Sequence, residues 1–217
     1  MTFPVAVLRA GLLLAAAIAV PAAAVDIIVN SIERPDPWVI NGCLIAPKSD
    51  CPGVDLRHAD LRHANLEGAN LSGANLARAD LRHANLNAAK LDGANLDGAR
   101  LEIAFMGGVK LRGASLRGAD LRFVRMAKAD LRNADLTAAT LEKAMVKGAN
   151  FDGAKLVNAD LQETKFYEAN LSNAVMDGTL IRFAIFQDAL MEGCSGCPQS
   201  WQTGSKAWEE AQTKRAP

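Results

Sequence analysis

Aromatic residues are scarce in this chain: seven Phe, three Trp and one Tyr make up 5% of 217 residues. Aromatic and basic residues do not interleave, so there is no platform on which single-stranded bases could stack. Charge of one sign is missing too. The 24 Lys and Arg balance 24 Asp and Glu, and no long-range attraction to nucleic acid or acidic lipid follows. Histidine is limited to His58, His63 and His83, and no nucleophile stands with a base and an orienting group, so the chain reads as non-enzymatic and without a cofactor. Nor is there an apolar run long enough to cross a bilayer. The uncharged stretch from Ala10 to Val25 has 16 residues and contains Pro21, against roughly 20 for a spanning helix.

That stretch has the plan of a secretory signal. Arg9 precedes the apolar GLLLAAAIAV of Gly11 to Val20, and PAAA follows with small residues at Ala22 and Ala24. Residues 1–24 are therefore expected to be a signal peptide cleaved after Ala24. The mature chain keeps 23 basic against 24 acidic residues. Its expected compartment is exported: periplasmic or secreted, or lumenal in a photosynthetic organism.

What the chain does have is leucine at every fifth position, as in VDLRHADLRHANLEGANLSGANL, residues 54–76. Five residues advance a helix by about 500°, so successive leucines would never share a face. In a straight strand an odd spacing sends alternate leucines to opposite sides. The chain must instead turn a corner every five residues. Four such sides close a square of 20 residues in which every leucine points to the axis and each coil bonds to the next about 4.8 Å away.

The register runs unbroken from Val54 to Gly193, 28 pentads or seven coils. The centre is Leu in 19 of them, and Met106, Met126, Val146, Phe151, Phe166, Met176, Ile181, Phe186 or Met191 in the others. Two residues before the centre stands Ala in 23 of 28 pentads, so the second inward position is small and the core is filled, with no channel. Asp or Asn most often precedes the centre, and Gly, Asn or another small residue often stands two after it. These are turn-forming choices.

The A-[D/N]-L-x-x pattern resembles that of the pentapeptide repeat proteins over about two-thirds of the chain. The resemblance implies an all-β fold, a right-handed quadrilateral β-helix. Some cytoplasmic members protect DNA gyrase with an acidic, DNA-like surface. This chain departs from them in its balanced charge and signal-like N-terminus.

Stacking in twenties places His63 and His83 on adjacent coils about 5 Å apart. That pair could hold a metal near Asp60 and Asp80, but two imidazoles without a third ligand make a weak site, and a repeated surface ladder is the preferred reading. Ile103, Phe105 and Phe123 are expected to cluster at one corner, with Met145 between them and Phe183 and Ile185 further along, as a candidate interaction surface. The arginines that follow several centres suggest salt-bridge ladders with the motif Asp residues, not a phosphate groove.

A solenoid exposes backbone at both ends, so residues 25–53 and 194–217 are expected to cap it, the latter with a short helix starting near Ser205 and with Trp201 and Trp208. Four cysteines allow three pairings, but a stack about 30 Å long lies between the two pairs, leaving Cys43 with Cys51 and Cys194 with Cys197. These read as disulfide staples of an exported chain. The expected function is a rigid scaffold or protein-interaction module with an unknown partner or self-association and no nucleic acid. The alternative is a redox or metal-binding envelope protein using Cys194-Ser-Gly-Cys197 or the His63/His83 pair.

Overall fold

The computed structural model describes residues 34–198. The signal-like segment with its cleavage point after Ala24, Trp201, Trp208 and the helix expected near Ser205 lie outside the described residues. The solenoid belongs to the unit that begins at Pro35.

That unit opens with a hairpin. Strand β1 (Val39–Ile40) pairs antiparallel with β2 (Cys43–Leu44), Val39 opposite Leu44 and Ile40 opposite Cys43. Between them Asn41 (φ 49°) and Gly42 (φ 79°) both take positive φ, as a two-residue turn matched to strand twist requires. Trp38 and Ile40 pack on the first coil as partly buried cover.

From Lys48 the chain coils. Parallel bridges join each motif residue to the one 20 positions on, from Asp50 with Asn70 to Val175 with Ser195. Four pentads thus make one turn of a right-handed quadrilateral β-helix. The ladder begins one pentad before Val54 and runs on to Ser195, because Cys51 can occupy a centre position five residues before Leu56.

The backbone of one pentad, Ala79 to His83, explains the motif. The Asp80 N–H donates back to Ala59 O (2.9 Å), and the Leu81 and His83 N–H donate forward to Arg100 O (2.7 Å) and Glu102 O (3.1 Å). The Ala79 N–H closes the corner on Leu76 O (3.0 Å). The fifth donor, Arg82 N–H, faces outward, and the Asp80 carboxylate accepts it at 3.3 Å. All five N–H groups are used, which is why no proline stands between Pro52 and Pro198. The residue after each outward donor takes left-handed backbone, φ 59° at His83, so Gly or Asn recurs there.

Inside, the leucine and alanine columns are fully buried from Ala64 to Met176. Toward the C-terminal end larger centres replace Leu: Phe166 stacks on Phe186 (centroids 4.8 Å) and meets Phe151 edge-on (5.6 Å). The one buried polar side chain among the described residues, Thr164, donates to Leu141 O at 2.7 Å and so carries no unmet group into the core.

Two substitutions separate the core from the turn. Leu121→Asp, which places a carboxylate in the sealed column, is expected to cost at least about 3 kcal/mol in urea unfolding. Asn75→Ala removes the acceptor of the Ala77 N–H (3.3 Å) and is expected to cost about 1 kcal/mol. A Leu121→Asp protein as stable as the parent would overturn the inward assignment.

Candidate functional site

With the backbone committed, chemistry is left to the side-chain columns on four faces. The first face, centred on Leu61 to Ile181, carries an ion-pair ladder. Arg82 binds Asp80 (2.6 Å), and Arg122 binds both Asp120 (2.6 Å) and Glu102 of the coil below (2.7 Å). Arg100 reaches Asp80 (3.7 Å) and Glu102 (3.4 Å), tying three coils together. On the third face Asp130 takes Arg112 (2.6 Å) and Arg132 (2.9 Å). The hydrogen bond from Arg132, reinforced by Arg112 against partial burial, holds the Asp130 carboxyl at about 2. On the fourth face the Arg57 side chain does the same for Asp55, also at about 2.

His63 and His83 stack with centroids 4.8 Å apart and planes 7° from parallel. The nearby Asp60 and Asp80 are engaged by Arg62 and Arg82. Among the described residues no group of three or more His, Cys, Asp and Glu is placed to hold a metal. Cys43 is joined to Cys51 and Cys194 to Cys197, with Cα separations of 5.6 and 5.8 Å. The first bond ties β2 to the opening coil; the second closes a loop at the last coil, with Cys197 Sγ 3.2 Å from Met176 Sδ.

The six apolar candidates do not form one strip. Ile103 and Phe123 follow each other in one column, and Phe105, Met145 and Ile185 occupy the next, with Arg125 and Lys165 interposed. Lys143, Glu163 and Lys165 separate Phe183 and Ile185 from the rest, so there are two groups. Cations lie over the rings: Arg125 over Phe105 (5.3 Å), Lys143 over Phe123 (5.6 Å) and Arg182 over Phe183 (4.7 Å). Ile103, Phe123 and Phe183 also sit at φ 58–62°, where a bulky side chain is strained.

The second face, centred on Leu66 to Phe186, carries the candidates Phe105, Met145 and Ile185, but motif reading did not mark its lack of acidic residues before the centre. Here the residue before the centre is never acidic: Asn65, Asn85, Phe105, Arg125, Met145 and Lys165. The signal was available in the sequence, as a column that abandons Asn for five coils, from Phe105 to Ile185. A motif search tolerant at that position passes over it.

Bridges at a 20-residue repeat, columns of sealed leucine and outward Asx turns define a class, the four-sided β-solenoids built from five-residue units. The family model described as pentapeptide repeats matches in eight copies, with segments from residues 49–87 through to 159–195. The chain belongs to the pentapeptide repeat family. Among solved structures it is similar to a trypsin-treated form of QnrB1, a plasmid-mediated fluoroquinolone resistance protein. Identity is 16%, coverage 76% of this chain and 89% of that one, and the TM-score 0.58, a likeness of fold. HetL from the cyanobacterium Nostoc sp. strain PCC 7120 is 25% identical over 68% of this chain and 87% of its own, with a TM-score of 0.41. A pentapeptide repeat protein of the Arabidopsis thaliana thylakoid lumen is 33% identical over 50% of this chain and 69% of its own, with a TM-score of 0.37. No curated protein matches the chain.

The ladder makes a pH prediction. Asp130 titrates near 2 when folded, whereas an unfolded Asp titrates near about 3.9. The unfolded chain therefore takes up more protons between those values. This stability is complete above about pH 4 and is lost as pH falls toward 2. Melting temperature measured from pH 6 to 2 is expected to drop in that window. Asp130→Asn, which keeps an oxygen for the Arg132 N–H, is expected to flatten part of the drop. Parallel curves would show that the pairs contribute nothing.

Proposed function

We propose that this chain is an exported, non-catalytic scaffold that binds another protein through its fixed side-chain columns. The observation that carries this reading is the unbroken ladder of backbone hydrogen bonds between coils and at the corners. What remains is a rigid frame presenting side chains at about 4.8 Å intervals, suited to recognition and not to motions around a substrate. Export is supported by the plan of residues 1–24 and by the two cysteine pairs, which suit an oxidising compartment. The alternative, redox or metal chemistry at Cys194–Cys197 or His63/His83, draws less support, because the cysteines close an end loop and the imidazoles have no third ligand.

Expressed in a cell with a periplasm, the protein is expected to start at Val25 by mass spectrometry, to resist alkylation at all four cysteines, and to capture a protein partner on crosslinking in the envelope fraction. Retention of residues 1–24 with free thiols would overturn export. Rapid, reversible reduction of Cys194–Cys197 under native conditions would favour the redox reading.

A further inference from the structure

The second face between residues 105 and 148 combines three features. First, its nine outward residues over three coils, Phe105, Gly107, Gly108 and their counterparts at 125–128 and 145–148, include Arg125, Lys128 and Lys147 and no acid. Lys110 and Lys143 stand at its two edges. On the first and third faces, by contrast, arginines such as Arg82, Arg112, Arg122 and Arg132 pair with Asp or Glu in a ladder.

Second, the floor is low. Gly107 and Gly108 put bare backbone where other coils carry side chains, and Ala127 follows in the next coil. The Gly107 N–H donates to Asn87 Oδ1 at 2.7 Å, and a Cβ at Gly107 would stand 3.0 Å from that oxygen, so a side chain there would press on the Asn87 amide. Around this floor stand Phe105 and Met145, 36% and 41% exposed, with Ile103 and Phe123 at the adjoining corner.

Third, outward backbone donors are left open. The N–H after a centre is taken by an Asx oxygen where one stands in its own pentad, as at Asn87 (3.1 Å), or in the preceding coil, as at Gly107, and the other faces leave it open only at scattered positions such as Asp92 and Val157. With Arg125, Met145 and Lys165 in the Asx position, and Gly107, Ala127 and Lys147 below, neither source exists. Among the described residues, no acceptor meets the N–H of Ala127, Lys147 or Tyr167 in three successive coils. On the first face such open donors belong to Glu102 and Glu142, whose own carboxylates repel an anion.

Lys147 pairs with Glu168 of the next coil (2.9 Å), which leaves Arg125 and Lys128 as the cations of this face without a carboxylate among the described residues. Open N–H groups, these two cations and exposed aromatic and thioether groups on one flat face have a single chemical complement. The geometry points to this face as the docking surface for an acidic, apolar-containing segment of a partner protein. Its carboxylates accept from the Ala127 and Lys147 N–H groups and pair with Arg125 and Lys128, while its apolar side chains cover Phe105 and Met145. The guanidinium of Arg125, held over the Phe105 ring at 5.3 Å, presents a fixed planar fork to a carboxylate. A membrane surface is the poorer match. The rings lie under cations on a flat wall and do not project to enter lipid, and Glu142, Glu163 and Glu168 flank the face. This assignment rests on the scaffold reading above and names the partner's chemistry.

The test uses the full chain, a fluorescent synthetic peptide alternating Glu and Phe, its Gln counterpart, and phosphatidylglycerol vesicles. The acidic peptide is expected to bind, to weaken with added salt, and to shift the amide resonances of Ala127 and Lys147 more than those of the other faces. The pair Arg125→Glu and Lys128→Glu is expected to weaken it at least about tenfold, and Phe105→Ala severalfold. Arg117→Glu on the fourth face should leave it within about twofold. Equal loss with Arg117→Glu, equal binding of the Gln peptide, or binding of vesicles but not peptide would each overturn the assignment. Crosslinked partner capture that survives the double reversal would overturn this surface and leave the scaffold reading standing; a wild-type chain that captures nothing would remove the scaffold reading instead.

Discussion

Everything in this molecule follows from where five backbone N–H groups per pentad find acceptors. Three bond to adjacent coils and one closes the corner, all with carbonyls that any sequence supplies. The fifth, facing outward, needs a side chain. That need selects Asp or Asn before the centre and so writes the most visible part of the repeat. It also links surface to fold: a residue that looks like solvent-exposed decoration satisfies a backbone group.

Two consequences compete at that position. Asp serves the turn and also recruits Arg two residues on, so turn chemistry produces ion-pair ladders such as Asp80 with Arg82 and Asp120 with Arg122. Exposed pairs of this kind are individually weak, but here each carboxylate is held by a backbone bond before the arginine arrives, so little side-chain freedom remains to be lost. Where the chain gives up Asx, as on the second face, it gives up both the turn bond and the ladder. A face released from structural duty in this way is free to carry recognition, at the expense of open donors and strained residues nearby.

Leucine at period five, alanine two before it and the count of four sides per turn were legible in the sequence, because each depends only on spacing along the chain. The positions of His63 and His83 were legible for the same reason, since residues 20 apart must stack, and the two cysteine pairs were legible because the length of the stack keeps its two ends apart. The β1–β2 hairpin was less visible, although Asn41-Gly42 is a strong local turn signal. It stands outside the repeat and lacks an alternating pattern long enough to mark two strands.

Other features were decided only when coils were placed on one another. The expected corner of Ile103, Phe105, Phe123, Met145, Phe183 and Ile185 divided in two because column neighbours, not proximity in the motif, set which side chains meet, and Arg125, Lys143 and Lys165 fill the gaps. Whether an outward N–H is met depends on two alternative acceptors, one in its own pentad and one in the coil below, as Asn87 serves Gly107. Periodicity in the sequence determined the frame, because a buried leucine column tolerates one register. The chemistry of each face came from tertiary structure, because it is set by contacts between residues that the chain brings together only after a full turn.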